Sequence, residues 1–330
     1  MSEISHRQID ANGISIHLAE IGEGPLVLFC HGFPESWYSW RHQLPAVAEA
    51  GFRAVAMDMR GYGRTTQPAN IAEYTISHLI GDVVGVVNTL GAADAVVVGH
   101  DWGAPVAWWS ALVRPDLFRA VAGMSVPYLP PIGALPAGVS MNDLMRMMAG
   151  DRDYYRLYFQ EPGVAESEMD ADPVRGMLGM LYSISGDIVS DGVHQSGWDG
   201  HFPAGERFID QLVTPEHLPA WLTQADVDYY VAEISRAGFF GGINWYRNIN
   251  AIPSVLAPFV GSTIRRPSFY IGGSLDLIAG NTPESIDAMK AALPDLRHCE
   301  LLQGAGHWIQ QERPTEVNTA LVGFLRSLEA

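Results

Sequence analysis

The sequence has little with which to build a disulfide scaffold, a metal site or a nucleic-acid surface. Two cysteines, Cys30 and Cys299, occur in 330 residues; this is too few for a disulfide framework, and no CxxC pair suggests zinc. Both read as small core residues. Basic residues are scarce, 20 Lys and Arg against 37 Asp and Glu, for a formal net charge of −17. A phosphate-binding surface needs concentrated positive charge, so nucleic acid and an anionic membrane are poor partners for this chain. The N-terminus, Met1-Ser2-Glu3-Ile4-Ser5-His6-Arg7, lacks the basic-then-apolar order of a signal peptide. The longest uncharged run lies between Arg119 and Asp143. Pro127, Pro130, Pro131 and Pro136 interrupt it, which argues for a loop-rich connection and against a membrane span. The expectation is a soluble, cytoplasmic protein.

What is present is core-forming material. Hydrophobic residues make up 48% and charged residues 17%, and the length suits two domain-sized units or one large α/β domain with an insertion. Residues 7–10 and 14–18 flank Asn12-Gly13, a hairpin signal. Short apolar runs follow at 25–30, 54–57, 95–98, 120–124, 268–271 and 300–302. Runs apolar on both faces suit a buried parallel sheet. Helical patterns lie between them at about 37–50, 77–90, 102–113, 283–293 and 314–327. This alternation predicts a doubly wound α/β fold, an eight-stranded, mostly parallel sheet with helices on both faces. It stops near Pro127 and resumes near Arg266. The stretch between is rich in Met, Tyr, Trp and Pro, with helical pieces at 142–148 and 226–236. It reads as a helical insertion over the sheet, dividing the chain into 1–127, 128–250 and 251–330.

The sharpest chemical signal is Val98-Gly99-His100-Asp101-Trp102-Gly103, which ends an apolar strand and opens an apolar helix. A small–x–nucleophile–x–small turn in this context is a nucleophile elbow, with glycines letting strand and helix pass closely. No Gly-x-Ser-x-Gly occurs, so Asp stands where an esterase carries Ser. A carboxylate there can attack carbon and form an alkyl ester, and the helix N-terminus favours its charge. A lone Asp in this position would more simply be an N-cap; the flanking glycines argue for the elbow. His31-Gly32-Phe33-Pro34 follows an earlier strand, where a backbone N–H can serve an oxyanion hole; the candidate donors are the N–H groups of Phe33 and Trp102. Gly304-Ala305-Gly306-His307-Trp308 follows the last strand and offers His307 as general base. Gly272-Gly273-Ser274-Leu275-Asp276 supplies an orienting acid, Asp276. The segment Ser125-Val126-Pro127, the other place for an acid, has none. The chain order is then nucleophile, acid, base.

These segments resemble a known family. His31-Gly32-Phe33-Pro34-Glu35-Ser36-Trp37-Tyr38-Ser39-Trp40-Arg41, Asp58-Met59-Arg60-Gly61-Tyr62-Gly63 and Gly99-His100-Asp101-Trp102-Gly103 are similar to the epoxide hydrolases of the α/β-hydrolase fold, above all the hydrolase domain of soluble epoxide hydrolases. Tyr155-Arg156-Leu157-Tyr158-Phe159-Gln160-Glu161-Pro162-Gly163 and Gly242-Ile243-Asn244-Trp245-Tyr246-Arg247-Asn248 resemble two segments of that family's cap. The resemblance implies one oxirane-binding tyrosine from each, Tyr155 and Tyr246, with Tyr154 and Tyr158 as the residues most easily confused with Tyr155. It implies an activity without cofactor or metal, converting a lipophilic epoxide and water to a vicinal diol through an ester on Asp101. That ester is hydrolysed by water activated by His307 and Asp276. A phenol, with an ordinary pKa near 10, can donate to the opening oxygen.

Aromatic and apolar residues Phe33, Trp37, Trp102, Trp245, Met145 and Met148, with Tyr155 and Tyr246, are the candidate substrate wall. Two stretches depart from the family pattern or match nothing in it, 189–203 and the return segment 249–264. The rival readings are a haloalkane dehalogenase, which shares the Asp–Trp elbow, and a non-catalytic ligand receptor on the same fold. Phe33 has no side-chain donor for a halide, and all three triad residues are present, which disfavours each in turn. Oligomeric state stays open, a homodimer through the cap being one arrangement.

Overall fold

The computed structural model describes residues 3–133 and 135–329. Strands β1 (Ser5–Ala11) and β2 (Ile14–Ile21) pair antiparallel through a turn in which Asn12 and Gly13 have φ of 48° and 79°. A type I′ turn needs positive φ at both central residues, which Asn-Gly supplies at little cost. The chain then forms β3 (Leu26–Cys30), β4 (Arg53–Met57), β5 (Ala95–His100) and β6 (Phe118–Met124). A two-stranded ribbon of β7 (Arg152–Tyr154) and β8 (His201–Pro203) follows, and then β9 (Ser268–Gly273) and β10 (Leu296–Leu302). The main sheet has eight strands in the order β1-β2-β4-β3-β5-β6-β9-β10. It is antiparallel at β1-β2-β4 and parallel from there on.

Strands β3 and β5 are buried along their whole length, as continuous apolar runs require at the middle of a parallel sheet. Alternate residues feed two cores: Leu28 and Cys30 belong to one face, Val27 and Phe29 to the other. Strand β10 departs from the expectation of two buried faces. It is the sheet edge and is half-exposed throughout.

On the sheet pack α1 (Gln43–Glu49), α2 (Ile76–Thr89) and α3 (Gly103–Val113). The single helix expected over 37–50 is split into a 3₁₀ turn at Trp37–Trp40 and α1. Pro45 explains the break: it has no N–H for the Arg41 carbonyl, and its ring crowds that position. Between β6 and β9 run α4 (Met141–Ala149), α5 (Tyr155–Tyr158), α6 (Val164–Ala171), α7 (Pro173–Ser183), α8 (Asp187–Ser190), α9 (Gln224–Ala237), α10 (Phe240–Arg247) and α11 (Ile252–Leu256). Capping boxes Ser140–Asp143 and Thr223–Asp226 start α4 and α9. The chain closes with α12 (Pro283–Ala292), α13 (Ile309–Glu312) and α14 (Pro314–Arg326).

The inserted helices are tied to the sheet layer by polar contacts. Arg41 Nε pairs with Asp226 at 2.9 Å, the Tyr38 hydroxyl donates to the same carboxylate at 2.9 Å, and Trp245 Nε1–H donates to the Arg60 carbonyl at 3.1 Å. Among the described residues no helix is long and apolar enough to cross a membrane, and no cluster of His, Cys, Asp and Glu could hold a metal ion.

Candidate active site

Asp101 stands between β5 and α3 with φ of +49°, a left-handed conformation that costs an L-residue on the order of 1–2 kcal/mol. Three glycines make the turn possible. A Cβ on Gly99 would lie 2.0 Å from the Gly103 carbonyl oxygen, and one on Gly103 would lie 2.1 Å from the Cys30 carbonyl oxygen. A Cβ on Gly32 would meet Asp101 Oδ1 at 2.2 Å. This close approach lets the Phe33 N–H donate to Asp101 Oδ1 at 2.7 Å. Among the described residues the Trp102 N–H makes no hydrogen bond to that carboxylate, so of the two expected oxyanion donors only Phe33 is engaged in the free protein.

His307 faces both acids. Its Nδ1 bonds Asp276 Oδ2 at 2.9 Å and its Nε2 lies 3.4 Å from Asp101 Oδ2. Asp276 accepts the Ala279 N–H through its other oxygen at 3.1 Å. Burial works against charge on His307, but the Asp276 charge and the contact with Asp101 win and hold its pKa well above the ordinary histidine range. Asp101 is the mirror case: burial would raise it, yet His307 and the Phe33 N–H keep its carboxyl below the ordinary value. Both directions favour the pairing of imidazolium with carboxylate.

A second, fully buried layer sets these groups in place. His100 Nδ1 bonds Glu35 Oε2 at 2.8 Å, and His100 Nε2 bonds the His307 carbonyl at 2.8 Å. The same Glu35 oxygen accepts the Gly32 N–H at 2.9 Å. One Glu–His pair thus joins the oxyanion loop, the elbow and the histidine loop. Burial opposes the Glu35 charge, but His100 holds its pKa below the ordinary range. Glu312 carries the other side of the histidine loop, accepting N–H bonds from Gly306 at 2.8 Å, Trp308 at 3.0 Å and Gly186 at 3.1 Å. Burial nonetheless pushes its carboxyl up to about 7. His31 closes the loop: its Nε2 accepts the Met59 N–H at 3.0 Å, so Nδ1 carries the proton given to the Gly32 carbonyl at 2.9 Å. Glu35 and His100 stand within the sequence motifs but carry no role that the motifs themselves announce. The signal was there, since both interrupt otherwise apolar or small-residue segments.

Tyr155 and Tyr246 are buried on the opposite side, their rings 5.7 Å apart. Each lines a cavity containing Asp101, and Tyr246 lines both lobes. One lobe is a groove of about 230 Å³ lined by Trp102, Trp109, Leu129, Met141, Ile252 and Leu256 among others. The other is a pinched lobe of about 10 Å³ among Phe33, Trp198, Ile278 and His307. Tyr158 is occupied elsewhere, its hydroxyl donating to Glu168 at 2.7 Å, and Tyr154 stacks on His201 with ring centres 4.6 Å apart.

Several expected wall residues are not there. Trp37 packs on His6 and Tyr229 and donates Nε1–H to the Tyr229 hydroxyl at 2.7 Å. Its backbone N–H is held by Asp58 at 2.9 Å, which turns it away from the cavity. Trp245 is a fully buried spacer between Tyr62 and Trp102, anchored on the Arg60 carbonyl. Met148 is 83% exposed, and on α4 it is Met141 that reaches the groove. The unassigned stretches take up the task. Trp198 closes the small lobe, while the Gly200 carbonyl accepts the Tyr155 N–H at 3.0 Å. Ile249, Ile252, Pro253 and Leu256 of the return segment form one groove wall, and the proline-rich run 127–132 forms another.

A strand–elbow–helix carboxylate, a histidine between two acids and a backbone donor are the arrangement of an α/β-hydrolase with aspartate at the elbow. The α/β-hydrolase fold family matches residues 25–314. Epoxide hydrolase A of Mycobacterium tuberculosis is 41% identical over all of this chain and 99% of its own length. Epoxide hydrolase 2 of Siraitia grosvenorii is 39% identical over 99% of both chains. The solved structure of an epoxide hydrolase from an endophytic Streptomyces superimposes with a TM-score of 0.92 at 45% identity, over 99% of this chain and 96% of that one. The chain belongs to the epoxide hydrolase family of the α/β-hydrolase fold.

Proposed function

We propose that this epoxide hydrolase opens a lipophilic epoxide in two steps on Asp101. The observation that carries the reading is the split of the Asp101 carboxylate, with Oδ1 held by the Phe33 N–H and Oδ2 beside His307. Oδ2 attacks a ring carbon as the carbon–oxygen bond breaks. Tyr155 and Tyr246 hold the leaving oxygen, and one phenol gives it a proton. The product is an alkyl ester, neutral at Asp101. Loss of that negative charge removes one of the causes that keep His307 protonated. The imidazolium proton then restores the phenol, and neutral His307 becomes available as a base.

In the second step Nε2 takes a proton from water as the hydroxide oxygen adds to the ester carbon. The charge develops on Oδ1, where the Phe33 N–H already points. Collapse breaks the bond to the alkyl oxygen, which takes the proton of the new carboxyl. Diol, Asp101 carboxylate and His307 imidazolium are the result, so the resting state is regained. Asp276 orients the ring throughout.

The apolar groove supports a lipophilic substrate, and the free thiols Cys30 and Cys299 suit a reducing compartment such as the cytoplasm. In this reading 1–127 and 251–330 form the catalytic core and 128–250 the cap, supported by Tyr155 and Tyr246 reaching Asp101's cavity from the insertion. The test is the intact mass of the His307→Gln protein exposed to a mixed panel of epoxides and alkyl halides. A gain of the whole epoxide mass, mapped to Asp101, is expected. A gain of an alkyl halide less hydrogen halide, with nothing from the epoxides, overturns the reading in favour of a dehalogenase.

A further inference from the structure

The two tyrosines look equivalent in the sequence but differ in their surroundings. Arg156, the next residue after Tyr155 on α5, donates its Nε–H to the Tyr155 hydroxyl oxygen at 2.9 Å. Its guanidinium carbon lies 5.5 Å from the Tyr155 ring centre and 5.9 Å from that of Tyr154. Among the described residues no carboxylate comes within 4.0 Å of this guanidinium, and the side chain lines the groove. A half-buried guanidinium keeps part of its hydration, and with no carboxylate neutralising it its charge is free to act on a group that acquires negative charge. Arginine stays protonated through any such cycle.

Tyr246 has no equivalent. Among the described residues its hydroxyl makes no hydrogen bond, and its ring is surrounded by Phe33, Trp102, Tyr155 and Phe159. Burial raises both phenols above their ordinary values. Burial is the largest cause for each; next for Tyr155 comes the Arg156 charge, which pulls it back, whereas for Tyr246 repulsion from Tyr155 and Asp101 comes next and the Arg156 charge pulls back only after these.

We propose that Arg156 is a positioning residue that makes Tyr155 the proton donor of ring opening and leaves Tyr246 as a hydrogen-bond donor only. The N–H of Arg156 occupies a lone pair of Tyr155 Oη, so the phenolic hydrogen must point away from the guanidinium. When that hydrogen passes to the oxirane oxygen as the carbon–oxygen bond breaks, the electron pair left on Oη faces a fixed positive charge. Tyr155 becomes a phenolate paired with Arg156, and the proton later released from His307 restores it. The inference rests on the two-step reading above.

The experiment measures alkyl-ester formation in single turnover, by rapid quench and intact mass, in the His307→Gln background with an epoxide from the panel that forms the ester. Arg156→Met is expected to slow ester formation on the order of 10²-fold, the lower range for loss of general-acid assistance, with little change in the epoxide concentration giving half-maximal rate. Arg156→Lys, which keeps the charge, recovers part of the rate. The decisive arm is the pairing with each tyrosine. Because Arg156 acts through Tyr155, Arg156→Met costs little further in Tyr155→Phe protein but keeps its full cost in Tyr246→Phe protein.

Equal losses in both tyrosine backgrounds overturn the assignment. So does an effect confined to half-saturation, which would make Arg156 a substrate anchor instead. Loss of the melting transition in the Met variant moves the same comparison to Arg156→Gln, which also removes the charge, and an unchanged rate of that variant in Tyr246→Phe protein would equally overturn the assignment. Absence of any ester in the Arg156-containing parent refutes the two-step reading itself, a result distinct from either.

Discussion

Replacing Gly32 by Ala tests how tightly the oxyanion loop and the elbow are built against each other. The added Cβ would fall 2.2 Å from Asp101 Oδ1 and 2.4 Å from Asp101 Cβ, where ordinary contact begins at 3.4 Å. Loop and elbow must therefore separate by about 1 Å. The elbow cannot yield easily, since Gly99 and Gly103 are already in backbone contact with their neighbours. The hydrogen bond from the Phe33 N–H, 2.7 Å long, lies directly on this seam and is the contact that opens. A misplacement near 1 Å costs about 10²-fold, and loss of one oxyanion donor about 10²- to 10³-fold in kcat. The two share one cause and do not multiply, so diol formation should fall on the order of 10²-fold. KM should change less than kcat, because apart from Asp101 the apolar groove is lined by residues outside the seam. Initial rates of diol formation, with a thermal melt to confirm folding, supply the measurement. A Gly32→Ala protein that melts normally and retains its rate within about threefold would refute the reasoning.

The other predictions concern charge and the phenols. Tyr155→Phe and Tyr246→Phe should each slow ester formation, by roughly 10²-fold for the proton donor and less for its partner, while ester hydrolysis in single-turnover assays stays near normal. In Asp101→Asn protein the His307 titration followed by NMR should move down, because a cause of its raised pKa has gone while burial still disfavours the charge. The sign for stability follows from the raised folded value. The imidazolium contribution is fully present below the unfolded pKa of about 6.5 and is lost as pH rises through the folded one, so in the Asn variant the contribution is smaller and its loss is complete at lower pH. Urea unfolding across neutral to alkaline pH measures this, and coincident profiles would count against the ion pair.

Much of the fold was legible in the chain. The Asn12-Gly13 turn, the runs that became β3, β5 and β6, and the capped helices α4 and α9 are local signals, read within a few residues of where they act. The elbow was legible for the same reason, since Gly99, Asp101 and Gly103 must be close in sequence to make one turn. The short β7–β8 ribbon was not, because three-residue strands carry no period and their partners lie some 50 residues apart. The candidate wall failed where composition was its only guide. Trp37 and Trp245 are aromatic, but Asp58, Tyr229 and Arg60 bind their N–H groups and turn them into supports.

The sequence by itself determined the order of sheet elements and the residue types available for chemistry. Hydrophobic period, turn propensity and motif spacing are properties of neighbours along the chain. Tertiary structure alone decided which of 12 tyrosines and 11 histidines meet at Asp101, and that one buried Glu35–His100 pair would hold three separate loops. It also decided that Arg156 would stand against Tyr155 without a carboxylate of its own. Distances between groups far apart in sequence, and the burial that strengthens their charges, exist only once the layers have packed.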